Sequence, residues 1–332
     1  MHDVAERLGV SISTVSRALR GLPGVSEETR RRIVAEAEAM AYVVSPAAAT
    51  LGGGATRRVG VLVPDIAVWF YSTVVAGIER RLRAAGLDMV LACLPTERER
   101  FDFFEQLPLR RKVDALIVVS FPLDARSRSR LASMGIPVTL VGGESDEFAT
   151  VGIDDAEAAE MAVGHLVRAG HRRIAMIRTV DPENREWAAD TDRLAGYRTA
   201  LTDAGIDVED DLMVQAQWGI DGGAAAMEML LSKRRPPTAV FCFSDEVAIG
   251  ALRTLRRAGL TVPEAMSVVA VDDHPMAELT DLTTVHQPAA ELGVAAADST
   301  IEMLGGGSPG QVLLPTRLVV RHSTAACDAA AT

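Results

Sequence analysis

The sequence predicts an α/β protein in two parts: an N-terminal three-helix helix-turn-helix head, then a two-lobed, doubly wound parallel-sheet core. Three observations carry that expectation. Residues 1–42 hold only short amphipathic stretches punctuated by Gly9 and Gly21. From Val59 onward, short apolar runs alternate with helical stretches. The runs also fall into two series, 59–63, 88–93, 115–119 and 137–141, then 173–177, 238–243 and 267–271. Continuous apolar strands separated by helices imply parallel sheets covered on both faces. In such sheets ligands bind beyond the carboxyl ends of the strands.

In chain order, the head reads as helices over 3–8, 13–19 and 26–40. Ser26 followed by Glu27 and Glu28 is a strong helix start, an N-cap oxygen and then negative charge at the positive dipole end. Val4, Ala5, Leu8, Val10, Val15, Leu19, Val25, Ile33 and Val34 supply a miniature core. Ser45, Pro46 and the alanines 47–49 predict one or two helical turns reaching Leu51, and Gly52–Gly54 a flexible joint. The expected partition is a helix-turn-helix domain over 1–44, a hinge helix and linker over 45–57, and a core over 58–332. Within the core, lobe one takes about 58–154 plus 287–313, and lobe two about 155–286 plus 314–325.

Composition narrows the class. A hydrophobic fraction of 48% with 24% charged residues supports a large buried core. The net charge of −11 opposes nucleic-acid binding, but it is unevenly spread. Residues 1–58 carry eight arginines against six acids, so the remainder holds −13. A basic head on an acidic body confines DNA contact to one end. Cys93, Cys242 and Cys327 have no zinc spacing, and the first two lie in apolar runs where a buried thiol is expected. No apolar leader or membrane-length run occurs, so a cytoplasmic protein without membrane contact is expected. No phosphate loop, nucleophile elbow or paired-histidine zinc motif is present. The pairs Asp154/Asp155 and Asp272/Asp273 could imitate acid/base carboxylates, and His171 in its Gly-His-Arg-Arg turn reads as structural. Neither enzyme activity nor a cofactor is expected.

Helix, glycine turn and helix over 3–21 place Ser11, Ile12, Ser13, Thr14, Ser16 and Arg17 at the start and outer face of the second helix. Hydroxyls at a helix N-terminus suit phosphate, and an arginine one turn on can reach O6 and N7 of guanine. Read by spacing alone, the same residues also fit a three-helix bundle whose polar face is merely solvated. The pattern DVA-x-x-x-GVS-x-x-TVSR-x-L-x-G, met from Asp3 to Gly21 and continued by Val-Ser-Glu-Glu-Thr-Arg at 25–30, resembles the head of the lactose-repressor (LacI/GalR) family. That resemblance extends over essentially the whole chain. It implies a transcriptional repressor, with Ile12, Ser13 and Arg17 at base-reading positions and Ser11, Thr14, Ser16, Ser26 and Thr29 near phosphates. It also implies Leu51 as a wedge in the operator's central minor groove, although Leu51 could instead pack on its dimer mate.

Departures from the pattern have consequences. The family's two hinge arginines stand here as Ala49 and Gly52, so hinge contacts should be weaker and less salt-dependent. The family's upstream threonine is missing before His2, so the natural start is expected a few residues earlier. One recognition helix spans too few base pairs to find a single genomic site, so a homodimer on a near-palindrome is expected. The tail at 325–332 has no heptads for a tetramer.

Within the core, the segments at 60–65, 170–177, 193–197, 244–245 and 268–273 resemble the family's and those of periplasmic sugar-binding proteins. They imply a cleft that closes on a small molecule, expected to be a sugar. By position, Arg193 matches the arginine gripping ligand hydroxyls or carboxylate, Asp272 the aspartate accepting hydroxyls, Trp218 the stacking aromatic and Phe70 the first-strand loop aromatic. Ser244 stands where many relatives have asparagine. Asp155 and Gln287 lie near lobe crossovers. Other roles remain open: a surface arginine for Arg193, a core or interface aromatic for Trp218, a helix cap for Ser244. Trp69 replaces a common proline. The direction of the effector response is open, since the family has both. The alternative function is a two-lobed small-molecule binding protein without DNA regulation.

Overall fold

The computed structural model describes residues 1–19, 21–40, 55–180, 187–308 and 310–327. The chain forms two compact units, Met1–Thr56 and Arg57–Thr332.

The first unit contains α1 (His2–Leu8), α2 (Ile12–Leu19) and α3 (Glu27–Ala39). Gly9 closes α1 at φ 67°, a left-handed conformation that glycine adopts without a Cβ penalty. Helix α2 begins one residue earlier than the sequence predicts. Ser11 already caps it, its Oγ accepting from the Thr14 N–H at 3.1 Å. Ser26 caps α3 in the same way through Thr29. Val4, Ala5, Val15, Ala18, Ile33 and Ala37 form the head's core, with Leu8, Val10, Leu19 and Val25 packed around it. Val34 is a correction. It is 36% exposed beside a fully buried Ile33, because the position after Ile33 on a 3.6-residue helix turns about 100° away from the core.

The second unit holds two six-stranded sheets. The first is built from β1 (Arg58–Val63), β2 (Asp88–Cys93), β3 (Ala115–Val119), β4 (Val138–Val141), β5 (Ala149–Gly152) and β11 (Gln311–Leu313). Its order is β11-β5-β4-β3-β1-β2, parallel throughout. The second contains β6 (Ile174–Val180), β7 (Met213–Gln217), β8 (Ala239–Cys242), β9 (Ser267–Asp272), β10 (Thr283–His286) and β12 (Arg317–Val319). Its order is β12-β10-β9-β8-β6-β7, with only β12 antiparallel. Every predicted apolar run contains a strand. β5, β7, β10, β11 and β12 have no counterpart among those runs. They are three to five residues long, and three of them, β7, β11 and β12, lie at sheet edges, where no long apolar run is needed.

Helices cover both faces. In lobe one, α4 (Trp69–Ala84) crosses α12 (Ala289–Leu304) where Gly77 meets Gly293. A Cβ on Gly77 would lie 2.2 Å from the Ala290 carbonyl oxygen, so the two helices can approach this closely only with glycine there. The remaining helices are α5 (Glu97–Gln106), α6 (Ala125–Ala132), α7 (Asp155–Arg168), α8 (Ala188–Asp203), α9 (Gly219–Leu231), α10 (Asp245–Arg257) and α11 (Pro275–Leu279). The chain passes between lobes at 153–154, 287–288 and 314–316. Two cysteines differ. Cys242 is buried in central β8, whereas Cys93, at the end of edge strand β2, is exposed and not the buried thiol its apolar run predicts. His171 is structural, its ring held between Thr238 Oγ1 at 2.9 Å and Ser267 Oγ at 3.0 Å. No helix among the described residues is long and apolar enough to cross a membrane.

Candidate functional site

Two sites emerge. In the head, Val15 and Ala18 anchor α2 in the core and turn its other side outward. There Ser11, Ser13 and Thr14 form a hydroxyl cluster, the Ser11 Oγ lying 2.8 Å from both Ser13 Oγ and Thr14 Oγ1. Ile12 is 48% exposed, apolar and at the helix start, a placement that suits a thymine methyl. Arg17 is exposed one turn further on, and Ser16 half-buried. Ser26 and Thr29 form a second hydroxyl pair at the start of α3, 2.8 Å apart. Leu51 lies outside the described residues.

In the core, Phe70, Asp155, Arg193, Trp218, Ser244, Asp272 and Gln287 all line one cleft between the lobes. They arrive on strand ends and the helix starts that follow them, the position doubly wound sheets give their ligands. Arg193, on α8, is buried; its Nε and Nη2 each lie 2.8 Å from Asp155 Oδ1, and its Nη1 donates to the Phe243 carbonyl at 2.5 Å. Its guanidinium also covers the Phe243 ring at 4.5 Å. Arg193 is therefore no surface arginine. Asp155 is the first residue of α7, directly after a lobe crossover, and burial raises its pKa against the pull of Arg193. Asp154 beside it caps α7 through the Glu157 N–H. The pair serves positioning, with no acid/base geometry.

Asp272 ends β9 at φ 139°, a backbone region that non-glycine residues rarely occupy, and Asp273 follows at φ 58°. Strain of this kind persists only where surroundings enforce it, and it clusters at functional sites. Gln287 Nε2, on a crossover, donates to Asp272 Oδ1 at 2.6 Å. Asp273 turns the other way, onto Arg321 at 2.7 Å and His286 at 3.1 Å. Both proposed ligand-gripping groups, Arg193 and Asp272, are thus tied to residues at crossovers. Ser244 does cap α10, accepting from the Val247 N–H at 3.4 Å, while it also forms part of the cleft wall.

Sequence reasoning missed Tyr71, Phe121, Trp187 and Glu246. All three tryptophans line the cleft, so tryptophan scarcity was a usable signal that pointed equally to Trp187. Trp187 and Trp218 meet at 4.7 Å, Trp218 and Tyr71 at 6.1 Å, and Phe121 and Trp187 at 6.4 Å. Trp69, where the family has proline, spans the lobes. Its backbone N–H points at Glu246 Oε1 at 3.5 Å, and its ring meets His274 at 4.9 Å. Proline would lack that N–H.

Burial pushes the Asp272 carboxyl up to about 7, against the Arg193 charge and the Gln287 bond. Behind it, fully buried Asp245 is also raised, by burial first and then by the Asp272 charge. Between about pH 4 and pH 7 the unfolded chain loses the Asp272 proton while the fold retains it. Its stabilising contribution is therefore complete below that window and lost as pH climbs through 7. Asp272→Asn keeps an acceptor for Gln287 and removes this titration. Denaturant melts should show the variant gaining on the parent by on the order of 2 kcal/mol more at pH 8 than at pH 5. An equal difference at both pH values would refute the assignment.

The description "Bacterial regulatory proteins, lacI family" matches residues 1–45, and "Periplasmic binding protein-like domain" matches residues 163–324. The HTH-type transcriptional repressor CytR of Escherichia coli (strain K12) is 33% identical over 336 residues, covering 98% of this chain and 96% of that protein. The chain belongs to the lacI family of bacterial regulatory proteins. A lac repressor dimer bound to operator and the anti-inducer ONPF superimposes with a TM-score of 0.84 at 28% identity, covering 98% of both chains. The complex of the regulator CelR with cellobiose gives 0.74 at 31% identity, covering 96% of this chain and 98% of that one. As a lacI-family member this chain is a DNA-binding transcriptional regulator and not an enzyme, which disfavours a binding protein without DNA regulation.

Proposed function

We propose that this lacI-family regulator is a cytoplasmic repressor that binds a near-palindromic operator as a homodimer and responds to a sugar held between its lobes. Residues 1–44 form the DNA-binding domain, 45–57 the hinge and linker, and 58–332 the effector core. Ile12, Ser13 and Arg17 read base edges. Ser11, Thr14, Ser16, Ser26 and Thr29 contact phosphates, and Leu51 enters the minor groove. Arg193, Asp272, Gln287, Asp155 and Ser244 take ligand hydroxyls, while Trp218 and Phe70 supply apolar faces. The observation that carries this reading is the outer face of α2, where exposed Ile12 and Arg17 flank a hydroxyl cluster on a helix anchored from behind.

Support comes from the relatives named above, one bound to operator as a dimer and one to cellobiose. On the core, Leu279 is 76% exposed and Met276 41%, three residues apart on one short helix, apolar surface suited to a dimer contact. Effector and operator would bias one two-state arrangement, so each changes the other's affinity by the same factor. The test is selection of duplexes from a random pool by the full chain. The expected winner is a near-palindrome with half-sites one helical turn apart. Recovery of unrelated sequences would overturn the proposal.

A further inference from the structure

A second pocket adjoins the cleft. The cleft's first chamber, with a volume of about 120 Å³, is bounded by Arg193, Asp272 and Trp218. A second chamber of about 640 Å³ lies on lobe one, beyond the ends of β3 and β4. Phe121, Gly142, Gly143 and Ala188 line both, so the two adjoin along these residues. The boundary between them carries consecutive glycines, Gly142 and Gly143, at φ 80° and 76°. A Cβ on Gly142 would come within 3.2 Å of Ser120 Oγ, and any side chain at Gly143 would fill the gap toward Ala188.

An aromatic ribbon runs the same way. From Tyr71 it continues through Trp218 and Trp187 to Phe121, each ring touching the next and the last shared by both chambers. At separations of 6.1, 4.7 and 6.4 Å these rings pack on one another as one apolar wall that borders both chambers, a surface on which the apolar faces of a linked sugar chain can lie. Mid-ribbon, the Trp187 Nε1–H is buried with no hydrogen-bond partner among the described residues. A buried donor without an acceptor is costly, and a ligand oxygen that reached it would remove that cost. The far chamber is edged by Asp124, Arg128 and Glu144, polar groups suited to hydroxyls at a chain end.

We propose that the effector is a neutral oligosaccharide of at least two linked units, one held by Arg193 and Asp272 and the next lying along Trp187 and Phe121 in the second chamber. This rests on the sugar-effector reading above and goes further by assigning ligand length. The test is titration calorimetry of the full chain against matched mono-, di- and trisaccharides (glucose with cellobiose and maltose, galactose with lactose, and their three-unit homologues), with uridine as a two-ring competitor class. At least one di- or trisaccharide should bind ten-fold or more tightly than its own monosaccharide. Leu123→Trp, which narrows the second chamber, and Phe121→Ala, which removes the shared ring, should each erase at least ten-fold of that advantage. In Leu123→Trp, whose side chain borders only the second chamber, monosaccharide affinity and operator binding should stay at parental values. A monosaccharide binding as tightly as its oligomers, or variants without effect, would overturn the length assignment and leave the sugar reading standing. Tight binding of uridine alone, or of no probe at all, would overturn both.

Discussion

Arg17→Ala is expected to abolish discrimination between the operator and random duplex while leaving the fold intact. Helix α2 owes its position to Val15 and Ala18, both buried against Val4, Ala5 and Ile33. Arg17 sits between these anchors in sequence but faces solvent, and no hydrogen bond or ion pair of its side chain is found among the described residues. Its removal therefore leaves the melting temperature within the range of surface substitutions. On DNA the loss differs in kind. A bidentate arginine–guanine contact is worth about 1–3 kcal/mol of discrimination, and a homodimer loses it at both half-sites. Affinity for the selected operator should fall roughly 100-fold or more, and preference at one base pair per half-site should relax. Arg7 provides the contrast. It is exposed but paired with Glu36 at 3.0 Å on another face, and Arg7→Ala should alter salt dependence little and sequence preference not at all. Competition binding against single-base operator variants measures both. Full sequence selectivity in Arg17→Ala would remove the basis for the base-reading assignment.

How much of this was legible beforehand depends on what each feature rests on. The Ser26 cap was, because its side chain acts on an N–H group three residues away and local chemistry suffices. The central strands were, because burial on both faces demands unbroken apolar runs, as in β3 and β8. The edge strands β7, β11 and β12 were not, since Met213–Gln217, for one, alternates in composition and is held mainly by its partner β6. Val34 and Cys93 were misplaced for a related reason: apolar character alone does not say which way a side chain faces or which strand ends a sheet. In the cleft, family resemblance supplied Arg193, Asp272 and Trp218, but it said nothing of the Arg193–Asp155 and Asp272–Gln287 bonds, which join segments distant in sequence. Phe121 belongs to no motif and became visible only when the folded chain brought its ring to Trp187.

Arg193→Ala is expected to uncouple operator binding from effector and to destabilise the core at the same time. The guanidinium holds Asp155 through two contacts of 2.8 Å, and both groups are largely shielded from solvent, with side-chain exposures of 4% and 14%. Removing one partner of a buried pair leaves an uncompensated charge, typically at a cost of about 3–5 kcal/mol. That cost must depend on pH. The Asp155 pKa is already raised by burial, and Arg193 is the group holding it down. Without the arginine it rises further, so the carboxyl stays protonated to higher pH and the penalty is smallest in acid. Stability of the variant should thus fall further below the parent's at pH 8 than at pH 5. The double variant Arg193→Ala/Asp155→Asn should recover much of the loss, because no buried charge is then left unpaired. The effector response should not recover with it. Lost contacts to ligand cannot be restored by neutralising Asp155, so operator affinity in both variants should ignore any sugar that shifts it in the parent. Recovered stability without recovered response separates the two roles of this arginine. Recovery of both would mean that Arg193 only braces the crossover and that the ligand is gripped elsewhere.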